Sequence, residues 1–147
     1  MGMFRSMEIS ASGMSAQRFR MDVISQNIAN QDTTRTADGQ PYRRRVVTFQ
    51  EKNAPFLFAD WMAVYENRTS GLGVRATSVQ EDTSTDFKII FDPDHPDADD
   101  EGYVRFPNVD IERELTDMIG AVRSYEANIT AVNNFKNIAM KALEIGR

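Results

Sequence analysis

Residues 109–145 read VDIERELTDMIGAVRSYEANITAVNNFKNIAMKALEI. Apolar side chains recur at Ile111, Leu115, Met118, Val122, Tyr125, Ile129, Val132, Ala139 and Leu143, in alternating steps of four and three that only Lys136 breaks. This spacing predicts one long helix. Its stripe is narrow, with Asp117, Arg123, Glu126, Asn128 and Lys141 on the other faces. Such a stripe suits a helix–helix seam better than burial in a globular core. Pro107-Asn108 marks the start, with Asn108 as the expected N-cap and Asp110, Glu112 and Glu114 placed where the helix dipole favours negative charge. Gly146 supplies the stop. At ~1.5 Å per residue the helix runs about 55 Å, more than a small β domain covers. Most of it must therefore pair with another helix of the chain, with other copies, or with different proteins.

The N-terminal segment carries a weaker form of the same pattern. Met7, Met14, Met21 and Ile28 are spaced by seven, Phe4 and Ala11 take the adjoining positions, and Arg18 and Ser25 interrupt. Three methionines make an adaptable surface, while Gly13 and several serines lower intrinsic helix stability. This segment is expected to stay poorly ordered until something holds it. It should end near Asn27–Asn30, where Gln31-Asp32-Thr33-Thr34 reads as a loop.

Between the two helices the pattern is that of short strands. Asp38-Gly39 signals a tight turn, and Pro41 leads into a strand over 42–50 that holds the one basic cluster, Arg43-Arg44-Arg45, read as a solvated run. Residues 56–65, with Trp61 as a packing anchor, fit either a strand or a short helix. Leu72, Val74 and Ala76 alternate with Gly73, Arg75 and Thr77, Phe87–Phe91 is a compact apolar run ended by Asp92-Pro93, and Tyr103–Phe106 is a fourth candidate. The expected fold is therefore α+β. Long N- and C-terminal helices pair as a coiled coil (1–30 and 109–147), with a small β-rich domain (31–108) inserted between them.

Composition narrows the function. The chain has 147 residues, enough for about one ordinary domain. It has no cysteine, which excludes disulfides, thiolate zinc sites and thiol nucleophiles. No apolar run approaches the ~20 residues of a membrane span, and the N-terminus lacks a basic region followed by an apolar core, so no cleaved signal peptide is expected. Glu81–Glu101 holds nine acidic residues against Lys88 alone, a local balance of −8 that leaves +3 for the rest of a chain whose net charge is −5. Affinity for nucleic acid comes mainly from neutralising phosphates, and this balance opposes it.

The acidic stretch 92–102 holds the only histidine, His95. Read as a calcium loop from Asp97, it places acids at positions one, three and five and Gly102 at six, but Asn108 stands where a bidentate Glu is needed. A solvated loop shaped by Pro93, Pro96 and Asp side chains fits better. His95 has no second His or Cys beside it, and no nucleophile elbow, phosphate loop or zinc-protease pattern occurs. Neither an enzyme, a cofactor nor a metal centre is expected. The stripes leave one alternative, a soluble helical-hairpin module with a calcium- or partner-binding acidic loop.

Ser12-Gly13-Met14-Ser15-Ala16-Gln17, then Arg20, Met21 and Asn27-Ile28-Ala29-Asn30, is similar to the N-terminal signature of the bacterial flagellar basal-body rod and hook proteins. Arg123-Ser124-Tyr125-Glu126-Ala127-Asn128, with Asn133 and Lys136, resembles their C-terminal one. Within that family, Asp38–Arg44, Glu81-Asp82 and the run Phe91–Val109 resemble the proximal-rod class. The likeness departs at Ser84-Thr85, where that class leads one to expect a proline, which bears on a local turn. The resemblance implies a motility protein, an axial structural subunit exported by the flagellar type III apparatus without a cleaved signal. It would sit in the basal body across the periplasm and assemble helically with copies of itself and other rod proteins. Inside the basal-body ring it would form the drive shaft that transmits motor torque. The residues expected at that assembly interface are Met7, Ala11, Met14, Met21, Asn27, Ile28, Asn30, Ile111, Leu115, Met118, Val122, Tyr125, Asn128, Ile129, Val132, Asn133, Ala139 and Leu143. Of these, Asn27, Asn30, Asn128 and Asn133 are the polar contacts expected to fix register.

Overall fold

The computed structural model describes residues 3–52 and 73–145. Expectations for Phe56–Tyr65, Trp61, Leu72 and Gly146 lie outside them. In chain order the elements are α1 (Met3–Ala29), β1 (Arg45–Glu51), β2 (Val74–Glu81), β3 (Lys88–Phe91), β4 (Tyr103–Phe106) and α2 (Ile111–Ile145). This is the expected α+β order, two long helices flanking a small antiparallel β region.

The strands form two ribbons. β1 pairs with β2, and Asp82 N–H to Arg44 O (2.8 Å) and Lys52 N–H to Gly73 O (2.8 Å) mark the two ends of an antiparallel register. β3 and β4 pair antiparallel, with Lys88 opposite Phe106, Ile89 opposite Arg105, Ile90 opposite Val104 and Phe91 opposite Tyr103. The Asp38-Gly39 turn is present, Gly39 at φ +75° donating to Thr36 O.

By contact the chain divides into two compact units. One comprises Met1–Phe19, Phe49–Thr77 and Val122–Arg147, the other Arg20–Thr48 and Ser78–Ala121. The second holds most of the core, with Val23, Ile24, Tyr42, Val104, Val109 and Ala121 buried alongside Asn27, Arg44, Asn108 and Glu114.

The start of α2 differs from expectation. Asp110, not Asn108, caps it. The Asp110 carboxylate accepts from Glu112 N–H (3.2 Å), and its carbonyl accepts the first helical bond, from Glu114 N–H (2.9 Å). Asn108 is buried and bonded elsewhere, so its side chain is not free to turn toward the helix. A carboxylate serves as well at the cap and adds the favourable charge.

Candidate assembly interface

In the second unit, Asn27 is fully buried and uses every hydrogen-bonding position of its amide. Its nitrogen donates to Arg45 O (2.8 Å) and to Glu114 Oε2 (3.0 Å); its oxygen accepts from Tyr42 Oη (3.0 Å) and Arg45 N–H (2.9 Å). Glu114, also fully buried, accepts from Arg44 Nε at 2.6 Å. The same guanidinium reaches Asp117 (3.4 Å) and Asp82 (3.8 Å), and Arg20 meets Asp117 at 3.3 Å. Asn108 closes the network, accepting from Arg44 N–H and donating to the carbonyls of Asp82 and Thr85. Buried charge is tolerated only when paired and hydrogen-bonded, and here it is. The result is a polar latch joining the end of α1, the entry to β1, the exit of β2 and the first turns of α2. Burial pushes the Tyr42 phenol above its usual range, keeping it a donor to Asn27.

The basic cluster is therefore not uniformly solvated. Arg44 is buried in the latch, while Arg43 lies 4.3 Å over the Phe87 ring and Arg45 stacks on Tyr42. No residue pattern in 42–50 distinguishes the middle arginine, because its burial depends on Glu114, seventy positions away.

Asp82 shapes the turn at the family departure. The Ser84 hydroxyl donates to its carboxylate at 2.6 Å, the Ser84 amide at 3.0 Å, and the Thr85 hydroxyl and amide add two more bonds. The Ser84 hydroxyl first, then these others, hold the Asp82 carboxyl down to about 2 from 3.8 against partial desolvation. A depressed carboxyl stabilises the fold fully above its unfolded value, and that contribution fades as pH falls from about 4 to 2. Ser84→Ala is expected to raise the Asp82 midpoint toward the ordinary value, read by NMR titration of the side-chain carboxyl carbon. An unmoved midpoint would show that the Ser84 hydroxyl is not what holds the carboxyl down.

The first unit has a different lock, built from the Ser12-Gly13 pair. Ser12 Oγ accepts from Val74 N–H (3.0 Å) while donating to Ile9 O (2.7 Å), which pins α1 to the start of β2. Gly73 stands at φ +102°, and a Cβ there would lie 2.2 Å from Ser12 Oγ, so only glycine fits. Gly13 lets α1 approach Asn128, whose amide atoms would be 3.0–3.2 Å from an added Cβ. Two signature positions thus meet, one from each end of the sequence.

The acidic loop is a folded β3–β4 connection. Asp99 accepts from Glu101 N–H and Tyr103 N–H, Asp97 accepts from Thr34 Oγ1 at 2.7 Å and pairs with Arg35, and His95 Nδ1 accepts from Asp97 N–H. These carboxylates are engaged in shaping the loop. Among the described residues, no three His, Cys, Asp or Glu side chains gather to hold a metal ion.

The sheltered side of α2 is rotated from the stripe read in the sequence. Glu114, Met118, Ala121, Tyr125, Asn128, Val132, Phe135 and Ala139 are buried or half-buried, again in steps of four and three. This row shares Met118, Tyr125, Val132 and Ala139 with the expected stripe. Its other members are polar or smaller at several places because Glu114 meets Asn27 and Asn128 meets Gly13. The remaining stripe residues form a second, outward row. Ile111, Leu115, Val122, Ile129 and Leu143 are exposed by 42, 50, 37, 37 and 76%, with Ile119 (56%) beside them. Asn133 is also exposed. On α1, Met7, Met14, Met21 and Ile28 are half-buried, Ala11 and Phe4 are exposed, and Ser10, Ala16, Val23, Ile24 and Asn27 form the buried face. Asn30 bonds locally to Gln26 O and Thr33 Oγ1.

Comparison with known proteins places both helical ends. The family model "Flagella basal body rod protein" matches residues 7–35, and "Flagellar basal body rod FlgEFG protein C-terminal" matches 100–145. The chain is 47% identical to the flagellar basal-body rod protein FlgC of Bacillus subtilis, with 98% of each chain covered. It is 44% identical to that of Borreliella burgdorferi (99% and 98% covered) and 36% identical to that of Salmonella typhimurium over the whole of both chains. Identity at this level, end to end, agrees with a fold whose two signature segments lock together, and the chain belongs to the FlgC family of flagellar basal-body rod proteins, structural subunits of that rod.

Proposed function

We propose that the chain is a mechanical subunit of the proximal rod, in which residues 1–30 and 109–147 form the assembly region and pair as a coiled-coil layer, while 31–108 form the β-rich domain. Its neighbours are copies of itself and other rod proteins, within the basal-body ring and across the periplasm. It reaches that place through the flagellar export apparatus. Stiffness, rather than catalysis, is its contribution to torque transmission. Long helices packed along a heterologous, non-closing interface build a filament and spread load over many contacts. Among the described residues, no helix is long and apolar enough to cross a membrane.

The observation that carries this reading is the outward row Ile111, Leu115, Val122 and Ile129. It keeps heptad spacing on a face that the intrachain contacts of Asn27 and Gly13 do not use. A regular apolar row left in water is the mark of an interaction face. Met118, Tyr125, Val132 and Ala139 lie between the two rows and serve both. Met7, Met14, Met21 and Ile28 complete the assembly surface on α1. Asn27 acts from within, by fixing the latch, whereas Asn133 is placed to contact a neighbour. The test is whether a chain carrying Val122→Asp with Ile129→Asp still enters basal bodies; the proposal expects that it does not, although the free chain remains folded.

A further inference from the structure

The exposed side of α1 has a heptad order of its own. From Phe4 to Ala29 its exposed positions advance in steps of four and three, through Glu8, Ala11, Ser15, Arg18, Asp22 and Ser25, with Phe19 and Gln26 beside them. Phe4, 81% exposed, is the one bulky member of this row. Four members are Ala or Ser, and Glu8, Arg18 and Asp22 carry charge.

The outward face of α2 keeps the same rhythm. Between and beyond the aliphatic members already named stand Glu126, Asn133, Lys136 and Met140, so exposed positions run from 115 to 140 in steps of four and three without a break, and Arg123 stands beside Val122. Lys136, which interrupts the apolar stripe of the sequence, is thus a member of this row. Its helix neighbours three and four residues away are Val132, Asn133, Ala139 and Met140, none of which offers a carboxylate. Among the described residues, Arg18, Asp22, Arg123, Glu126 and Lys136 form no ion pair. Glu8 reaches Lys52 at 3.8 Å, an exposed contact of little worth. A charge enclosed in a helix seam needs an opposite charge across it.

Within the chain the two helices run antiparallel, Arg20 meeting Asp117 and Asn27 meeting Glu114. A rotation and translation along one filament axis leaves the axial direction of each helix unchanged, so α1 of one copy meets α2 of the next antiparallel as well. The two rows then match position for position with Lys136 facing Glu8. In that register Glu126 faces Arg18, Arg123 lies beside Asp22, Met140 covers Phe4, and the bulky Ile129 and Leu115 fall on Ser15 and Ala29. Every charge of the α1 row meets its opposite. A slip of one heptad in one direction sets Glu8, Arg18 and Asp22 against Ile129, Ile119 and Leu115; a slip in the other sets them against Leu143, Asn133 and Ile129. Both strand the charges on aliphatic or neutral side chains, which selects against them.

We propose that the exposed row of α1 packs on the outward row of α2 in a second copy of this chain, in the register that sets Glu8 on Lys136, Arg18 on Glu126 and Asp22 beside Arg123. Apolar burial drives the association, and the three charge pairs fix its register. The contact joins different surfaces of two identical chains, so it propagates from copy to copy. It rests on the rod-subunit reading and adds to it the partner surface and the alignment.

The cysteine-free chain permits a direct test by disulfide formation in isolated, oxidised basal bodies. Ala11→Cys with Asn133→Cys places a thiol at each of two facing positions; Ala11→Cys with Met140→Cys is one heptad out of register. The first pair is expected to give products at multiples of the chain mass, and the second several-fold less. Independently, Glu126→Arg should lower the amount of chain recovered in basal bodies several-fold, and adding Arg18→Glu should restore it. Equal linking by the two cysteine pairs, links only within one chain or to a different rod protein, or no restoration by the charge swap would overturn the docking while leaving the rod reading intact. Absence of the unsubstituted chain from basal bodies would overturn both.

Discussion

Glu114→Ala is expected to lower the unfolding free energy by about 3 kcal/mol, the lower end of the range for breaking a buried ion pair. The mutation removes the shortest ion-pair contact of Arg44 (2.6 Å) and one acceptor of Asn27 (3.0 Å), both at a fully buried position. Arg44 keeps Asp117 and Asp82 at 3.4 and 3.8 Å, which limits the loss. In a chain of this size the change is a drop of about 10 °C in Tm. Glu114→Gln separates charge from shape. Its oxygen can still accept from Arg44, but its amide nitrogen then faces the amide nitrogen of Asn27, so a smaller loss is expected. Denaturant midpoints of the two variants check both values. A Glu114→Ala chain as stable as the parent would show that the latch contributes nothing.

The second large effect falls on assembly rather than folding. Val122 and Ile129 are 37% exposed in the single chain, so Val122→Asp with Ile129→Asp should cost it about 1–3 kcal/mol of burial, against a typical total of about 5–15 kcal/mol, and leave it folded. Asp and Val have similar helix propensities, which keeps α2 intact. In the rod each replaced side chain would forfeit about 0.5–1 kcal/mol of further burial, because only 37% of it is still exposed, and would bring an unpaired carboxylate into the seam, which is the larger cost. Two such sites per copy, repeated along the filament, should reduce incorporation by more than tenfold, measured as chain recovered in basal bodies against soluble chain. Normal incorporation would remove the outward row from the interface.

The helices and most of the strands were legible because their signals are local. The 4-3 spacing of α2, the Tyr103–Phe106 strand and the Asp38-Gly39 turn each follow from neighbouring residues, and β4 occupies the expected range. The latch was not legible, since it depends on partners far apart in sequence: Asn27 was marked by its signature, but nothing in an Arg-Arg-Arg run reveals that the middle residue meets a buried glutamate. The rotation of the sheltered row has the same cause. Hydrophobic spacing alone favours Leu115, Val122 and Ile129, whereas close approach of α1 at Gly13 and Asn27 selects Glu114 and Asn128, which no apolar pattern would choose. Residue type alone points to Asn108 as the cap, but a competing set of three partners claims its side chain.

The absence of native cysteine allows the central claim to be tested by labelling a single introduced thiol. Leu115→Cys, at a position half exposed in the single chain, is to be compared in the free protein and in isolated basal bodies. Maleimide should react readily with the free protein and at least about tenfold more slowly in the rod, because the core of a packed interface excludes solvent. Equal reactivity in the two states would contradict the assignment of this row to the assembly interface.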